Sequence, residues 1–411
     1  MRKQQFQILI GNFVYLFAQW AITVLVVKLS HDYYSAGLLG LAMTITNIFY
    51  IISSYGLRLY QVSDVNHEYD DNIYIISRMI TVPVAIVLCV GYSVIIGYSG
   101  ESILVIILFM LYKSFEAASD VFHGILQNNG RYDRICISLC FKGILSLLIF
   151  TLIFKNGSKL STALLGILIV SVIVLVFDYY WSHKYIKTNN DSVKISIAVR
   201  NLLINTSPMV VLSFSSPLLM SIPRLYFERS YSTELLGIYT SLSSPTLIIT
   251  TFVSCAVSPY LHLLAKYYIE KDKNSFLKLS FFMIACTIML GATVYFICLK
   301  IGKELLLILY NSYICEYSNV FKLVIIVSAL SSVNICMMSI YTSIRHIIPE
   351  ALVLLTGCLL CYVVTPYFVD KFAMAGVAIA LIISLLYQII ISACLMIYYV
   401  RHDKVFEILE K

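Results

Sequence analysis

Tyr34-Ser35-Ala36-Gly37-Leu38-Leu39-Gly40-Leu41 and Tyr231-Ser232-Thr233-Glu234-Leu235-Leu236-Gly237-Ile238 are two versions of one phrase, 197 positions apart (34 to 231). Each follows one long apolar run and opens another. Two further pairs keep the order and nearly the spacing: Asp71-Asn72 with Asp272-Lys273-Asn274, and Gly100-Glu101 with Gly302-Lys303-Glu304. A collinear set of matches at one period signals an internal duplication. The chain is therefore expected to divide into an N-terminal lobe, 1–190, and a C-terminal lobe, 191–411, built from the same elements.

Composition says what those elements are. Of 411 residues, 60% are hydrophobic and 12% charged, and the mean hydropathy is +0.88. Soluble domains run nearer 45–50% apolar and about 25% charged. Even a soluble domain of about 300 residues leaves roughly a quarter of its unfolded surface exposed, so the solvent here is lipid. A membrane helix needs about 20 apolar residues. The apolar runs supply twelve such spans: 7–27, 36–56, 76–97, 102–123, 135–154, 160–181, 197–221, 235–260, 279–299, 319–341, 347–368 and 373–399. The expected fold class is an all-α integral membrane protein of two six-helix lobes. Six is even, so both lobes share one orientation, an arrangement that transporters use. A soluble enzyme, a single-span receptor and a nucleic-acid binder are excluded, the last despite a net charge of +7.

Loop charges orient the chain. With the spans placed as above, sixteen Lys and Arg fall on the side of the two termini and eight on the other, which puts both termini in the cytoplasm. The run after Met1-Arg2-Lys3 is too long for a signal-peptide core. Thirty-one Tyr and 22 Phe suit interfacial belts. Cys358-Leu-Leu-Cys361 has redox spacing but lies inside a span without a histidine or a second pair, and reads as packing.

Ionisable groups inside spans carry the functional signal, because each costs about 2.5–3.5 kcal/mol at the bilayer centre. The fourth span holds Lys113, Glu116, Asp120 and His123, followed by Gln127 and Arg131. At 100° per residue they form one stripe roughly 80° wide, which lines a water-filled cavity or a buried polar network. Asn47, Ser54, Arg58 and Gln61 fall on one face of the second span, and Asn12 and Gln19 share a face of the first. Arg78 and Lys142 add basic groups to the third and fifth spans. Arg200, Asn201 and Asn205 enter the seventh, ahead of Pro208, Pro217 and Pro223, which kink or break its helix. These basic groups suit an anionic phosphate or pyrophosphate headgroup, or else snorkel to the interface. Glu116 and Asp120 are the candidates for carrying a coupling H⁺ or Na⁺. Glu, Asp and His at this loose spacing do not make a metal site. No Walker loop is present, and no outer loop is long enough for a catalytic domain, so no enzyme is expected.

Four stretches carry a family likeness. They are Gly56-Leu57-Arg58-Leu59-Tyr60-Gln61-Val62-Ser63-Asp64, the run from Asp120 and His123-Gly124 through Gln127 to Gly130-Arg131-Tyr132-Asp133, Ile222-Pro223-Arg224-Leu225-Tyr226, and Ser258-Pro259-Tyr260-Leu261. With them the whole chain resembles the Wzx-type flippases of the MOP superfamily. The resemblance implies an alternating-access bundle around a cationic central cavity in the bacterial cytoplasmic membrane. It implies as cargo an undecaprenyl-pyrophosphate-linked oligosaccharide, moved to the outer leaflet for capsule, O-antigen or exopolysaccharide assembly. Implied too are H⁺ or Na⁺ coupling without other cofactor, and membrane lipid and a polysaccharide polymerase as partners. Related peptidoglycan-precursor flippases place several arginines in their first two spans, whereas the first span here has only Lys28 at its end. The alternative on the same fold is a MATE-like drug/cation antiporter, in which acidic residues should dominate the cavity.

Overall fold

The computed structural model describes residues 2–30, 32–64, 68–186, 192–246, 249–250, 253, 256–257, 260–343 and 347–401, and among them there is no strand. The chain forms two compact units, Met1–Pro217 and Leu218–Lys411. The N-terminal unit contains α1 (Arg2–Ser30), α2 (Tyr34–Ser54), α3 (Leu57–Ser63), α4 (Asp71–Ile96), α5 (Gly100–Asn128), α6 (Tyr132–Lys155) and α7 (Leu160–Ser182), and then most of α8 (Ser192–Ser230). The C-terminal unit takes the end of α8, then α9 (Thr233–Ser243), α10 (Leu261–Ile269), α11 (Lys273–Leu309), α12 (Ser318–Ser343), α13 (Ile347–Phe372) and α14 (Met374–Arg401). The sequence boundary at 190/191 lies outside the described residues. The division at Pro217 differs from it by the first part of α8, whose Val199 and Leu202 are buried with Leu57, Tyr69, Ile73 and Tyr74 of the N-terminal unit.

Eleven helices of the described residues are long and apolar enough to cross a membrane. The expected span at 235–260 begins as α9 and a 3₁₀ turn, Ser244–Thr246, and continues into residues mostly outside those described, as are Ser258 and Pro259. Large apolar side chains point outward where a soluble protein would bury them: Ile95, Phe281 and Val363 are 84%, 74% and 72% exposed. Lipid is their solvent.

The repeat is visible in the helix starts. Tyr34 opens α2 and the Tyr231 phrase opens α9, where the Ser232 hydroxyl accepts from the Leu235 amide at 3.2 Å. Asp71 opens α4, and Asp272 caps α11 by accepting from the Ser275 amide at 3.1 Å. That cap holds the Asp272 carboxyl below the usual carboxylate range, chiefly through Ser275. Each unit also places a short helix, α3 or α10, just before its Asp-started helix. The third match does not survive. Gly100 opens α5, but Gly302 lies inside α11, which runs 37 residues without a break. At 1.5 Å per residue α11 is about 55 Å long and overruns the hydrocarbon layer, so the 304–310 segment is its final turns rather than a new element.

The periodicity hid one local break and suggested another that is absent. The second span stops at Ser54, and Tyr55 (φ 46°) and Gly56 (φ 65°) turn left-handed before α3 begins. Glycine adopts that conformation freely, while a tyrosine there carries strain of about 1–3 kcal/mol. This joint ends the 100° register, so Arg58 and Gln61 do not share a continuous face with half-buried Asn47. Helix α8 goes the other way, running unbroken through Pro208, Pro217 and Pro223.

Small residues bring α1 and α6 close. A Cβ added at Gly143 would lie 3.0 Å from the Tyr15 backbone, and one at Gly11 would lie 3.0 Å from that of Cys136. Such approaches let membrane helices pack backbone to backbone. Gly91 of α4 faces open space. Gly143→Leu is expected to destabilise by about 1–3 kcal/mol through overpacking. Gly91→Leu should leave stability unchanged, as read from melting midpoints of the two variants in detergent.

Candidate functional site

Helix α5 crosses the N-terminal unit with its polar stripe turned inward, and partners converge on that stripe from six other helices. Asp120 gathers two guanidinium groups. Arg58 of α3 approaches Oδ1 at 2.8 Å, and Arg78 of α4 approaches Oδ2 at 3.7 Å. Arg58 also donates to Gln127 Oε1 at 3.2 Å, one turn and more along α5. Arg78, nearly fully buried, donates to the Ser53 carbonyl, which accepts from Thr81 Oγ1 as well, at 3.0 Å. A helix end leaves its last carbonyls without partners in the helix, and the stop at Ser54 creates such an acceptor. The α2–α3 break therefore does two jobs: it aims Arg58 at α5 and gives Arg78 an anchor.

Glu116 gathers two ammonium groups in the same manner. Lys113 lies 3.1 Å and Lys142 of α6 lies 3.8 Å from Oε2, and the Tyr15 hydroxyl of α1 donates to that oxygen at 2.7 Å. Tyr15 and Tyr112 hydroxyls are 2.7 Å apart, and Gln19 donates to Tyr112 at 2.7 Å. The Lys142 ammonium stands 5.2 Å and 5.1 Å over the rings of Tyr15 and Tyr112, and Lys113 stands 5.3 Å over Tyr50. Aromatic faces attract cations most where water is scarce, so these rings replace part of the lost hydration.

A third pair completes the stripe. His123 Nε2 lies 3.1 Å from Asp178 Oδ2 of α7 and 3.2 Å from Ser138 Oγ of α6. Asp178 has no exposed surface. Glu116, Asp120, His123 and Asp178 line one cavity of about 190 Å³ with Asn12, Tyr15, Tyr50, Arg58 and Lys142. That is room for several waters among polar walls. Four permanent cations (Arg58, Arg78, Lys113, Lys142) face three carboxylates here, so the lining is close to neutral and every charge has a partner.

Not every nominated residue joins this cluster. Gln61 is buried beside it: its carbonyl accepts from Asn128 at 3.0 Å, its amide reaches Asp71 at 3.4 Å, and its side chain lies against Gly124, where an added Cβ would collide with it. Arg131 lies past the end of α5, paired with Asp133 at 2.9 Å and Tyr185 at 3.2 Å. Arg200 lines a separate open groove of about 470 Å³ with Tyr55, Ser196 and Ser207. Asn201 is exposed on α8, and Asn205 donates to Tyr69 at 3.1 Å.

Sequence reading missed Tyr15, Tyr50, Tyr112, Ser138 and Asp178. Asp178, a lone carboxylate inside the apolar 160–181 run, was open to the rule that nominated Glu116. The C-terminal unit has a smaller buried network of the same kind. Asn334 donates to Gln388 at 2.7 Å, Gln388 to the Leu354 carbonyl at 2.9 Å, and Ser392 to fully buried Glu350 at 2.8 Å. Cys358 and Cys361 are buried and form no disulfide, and among the described residues no group of three His, Cys, Asp or Glu side chains could hold a metal.

Residues 21–265 match the family model described as polysaccharide biosynthesis protein, more than half of the chain, and the chain belongs to that family. It is 25% identical, over 92% of its length and 96% of the relative's, to the capsular polysaccharide biosynthesis protein CapF of Staphylococcus aureus. Solved membrane transporters share its fold. An inward-facing multidrug-resistance MATE transporter superposes with a TM-score of 0.71 at 12% identity, covering 96% of this chain and 99% of that one. A MOP superfamily transporter from Pyrococcus furiosus, described by a reversed polarity of its binding pocket, gives 0.63 at 14% identity, covering 96% and 95%. The expected all-α, multi-pass membrane architecture is thereby established.

A double-mutant cycle of Arg58→Gln and Asp120→Asn, measured by thermal unfolding in detergent, should show a coupling energy of about 0.5–3 kcal/mol. Additive effects would mean that the pair does not act as a unit.

Proposed function

We propose that this member of the polysaccharide biosynthesis protein family is a flippase for lipid-linked oligosaccharide repeat units, working by alternating access. The supporting observation is the convergence of Arg58, Arg78, Lys113 and Lys142 on two carboxylates at the edge of a polar cavity. Arginine forks bind phosphate bidentately, and lysines bind it as point charges. Asp120 and Glu116 occupy these donors when no cargo is bound, and a pyrophosphate linked to a polyprenol offers the same oxygens with more charge. Exchanging one anion for another keeps the cations matched at each stage, so they need not face lipid unpaired. Gln127, which accepts from Arg58, extends the polar stripe along α5 and suits a sugar's hydroxyls. Arg200, Asn201 and Asn205 on α8 form a separate basic and amide stretch for a headgroup near the cytoplasmic surface. On this reading membrane lipid carries the cargo, and a polysaccharide polymerase receives it on the outer side.

Support for the drug/cation antiporter is structural only, through the MATE fold. An organic cation calls for an excess of carboxylates, and here four permanent cations outnumber three. A likeness in fold carries no cargo with it.

Clean deletion of the gene in a host without a second copy should abolish surface polysaccharide and trap repeat units in the inner leaflet, measured by lipid extraction and leaflet-selective labelling. Intact export after deletion would refute the proposal. In the complemented strain Arg58→Gln and Arg78→Gln should each lower export about tenfold to a hundredfold, as expected for one lost charge-assisted contact. Folded protein, followed by gel filtration, should persist. A parallel dye-efflux assay that responds to these variants would favour the antiporter instead.

A further inference from the structure

Arg200 stands apart from the other basic groups of the N-terminal unit. Arg58, Arg78, Lys113 and Lys142 all close on carboxylates, whereas among the described residues no carboxylate pairs with Arg200. It is exposed, and the open groove it lines, of about 470 Å³, has no acidic residue in its lining. Ser196, Arg200, Leu203 and Ser207 form one wall, and Tyr55 of the α2–α3 joint and Ile80 of α4 complete it. At 100° per residue the four positions on α8 fall within about 60° of one another. Tyr55 and Leu203 also pack on the buried cluster of Leu57, Tyr74 and Leu202, which gives the groove an apolar base. Ile80 and Ile204, 46% and 56% exposed, leave its rim open to lipid.

The dimensions fit one leaflet. From Ser196 to Ser207 the helix rises about 16 Å. That is close to half of a hydrocarbon core of about 30 Å. Helix α8 has 39 residues and is about 58 Å long, so about 14 Å is left over at each end when it is centred. Arg200 lies about 12 Å in from Ser192, at the boundary between headgroups and acyl chains. The loop charges place that end of α8 in the cytoplasm. The cytoplasmic leaflet is the one that carries a negative surface potential.

We propose that this groove binds a resident anionic phospholipid of the cytoplasmic leaflet, with its phosphodiester on Arg200 and one acyl chain along Leu203 and Ile204. Three features select that occupant. The guanidinium fork suits a phosphate bidentately, and the Ser196 hydroxyl lies one turn away on the same wall. A zwitterionic lipid brings an ammonium group as well, and no carboxylate of the lining receives it. One arginine and one leaflet's depth match a single phosphate on an ordinary acyl chain, whereas the proposed cargo brings a pyrophosphate and a long polyprenol. The bound lipid touches Tyr55 and so braces the left-handed joint that aims Arg58 at Asp120. Binding here does not depend on what the protein carries.

The site is tested on full-length protein in detergent by native mass spectrometry, with phosphatidylglycerol and phosphatidylcholine titrated in turn. Phosphatidylglycerol should bind its tightest site about tenfold to a hundredfold more firmly, as expected for one charge-assisted contact. Arg200→Gln should erase that preference. Arg229→Gln, which removes an exposed arginine near the other end of α8, should keep it. Equal affinities in the wild-type protein, or a preference that survives in Arg200→Gln, overturn the site. Phosphatidylglycerol with a photoreactive acyl chain gives the location without any substitution. It should label the peptides that hold Ile80, Leu203 and Ile204, and labelling confined to other helices overturns the assignment. Displacement of phosphatidylglycerol by undecaprenyl phosphate at equal concentration would give the groove to the cargo and overturn the resident lipid. For the joint, the melting midpoint of the wild-type protein should rise by about 2–4 °C with phosphatidylglycerol and stay unchanged with phosphatidylcholine. A rise of the same size in Arg200→Gln overturns the bracing. Unimpaired export in the deletion strain overturns the flippase reading and leaves the lipid site standing.

Discussion

A helix that carries ionised groups into hydrocarbon must have each of them met, because an unmatched charge at the bilayer centre costs about 2.5–3.5 kcal/mol. In the N-terminal unit that requirement falls on α5, and the arrangement around it follows. Two carboxylates, Glu116 and Asp120, each draw in two cations, and those cations come from α3, α4, α6 and α5 itself. The stop of α2 at Ser54, the joint at Tyr55-Gly56 and the glycine approaches of α1 to α6 set the distances at which these groups meet. The same matching that lets the helix sit in lipid leaves a small polar cavity lined by carboxylates and cations. The packing of the N-terminal unit around α5 rests on one electrostatic condition.

Much of this was legible in the amino-acid order. Apolar runs gave the spans because membrane helices are selected by length and hydropathy, and those properties are local. Two of the three repeat matches fall at helix starts in both units; the third, Gly302, falls inside α11, because a two-residue likeness does not register whether a helix continues through it. The stripe on α5 was readable since one straight helix obeys one period. The face drawn across Asn47 and Arg58 failed because a left-handed joint between them resets the phase, and a helical wheel has no term for it.

Partners were the harder part. A wheel says which side chains share a face and nothing of what lies opposite. Tyrosine is counted among the hydrophobic residues, so Tyr15, Tyr50 and Tyr112 vanished into the composition although their hydroxyls and ring faces complete the Glu116 cluster. Arg200 looked equivalent to Arg58 and Arg78 by residue type and depth, and the fold puts it on a separate groove. Only tertiary placement separates a basic group held at a carboxylate from one left open to the surface.

The bond between Tyr15 and Glu116 has a consequence for how the chain is made, since 101 positions separate its ends. At a synthesis rate of about 5–20 residues per second, α1 waits roughly 5–20 s in the bilayer before α5 arrives to receive its hydroxyl. Lys113 and Glu116 sit three residues apart on α5, so that helix enters with one charge pair already closed. Arg58 and Arg78, by contrast, are in place before Asp120 is synthesised and must linger near the aqueous surface until it comes. Order of birth along the ribosome thus decides which groups are self-sufficient on arrival and which must be left waiting at the membrane's edge.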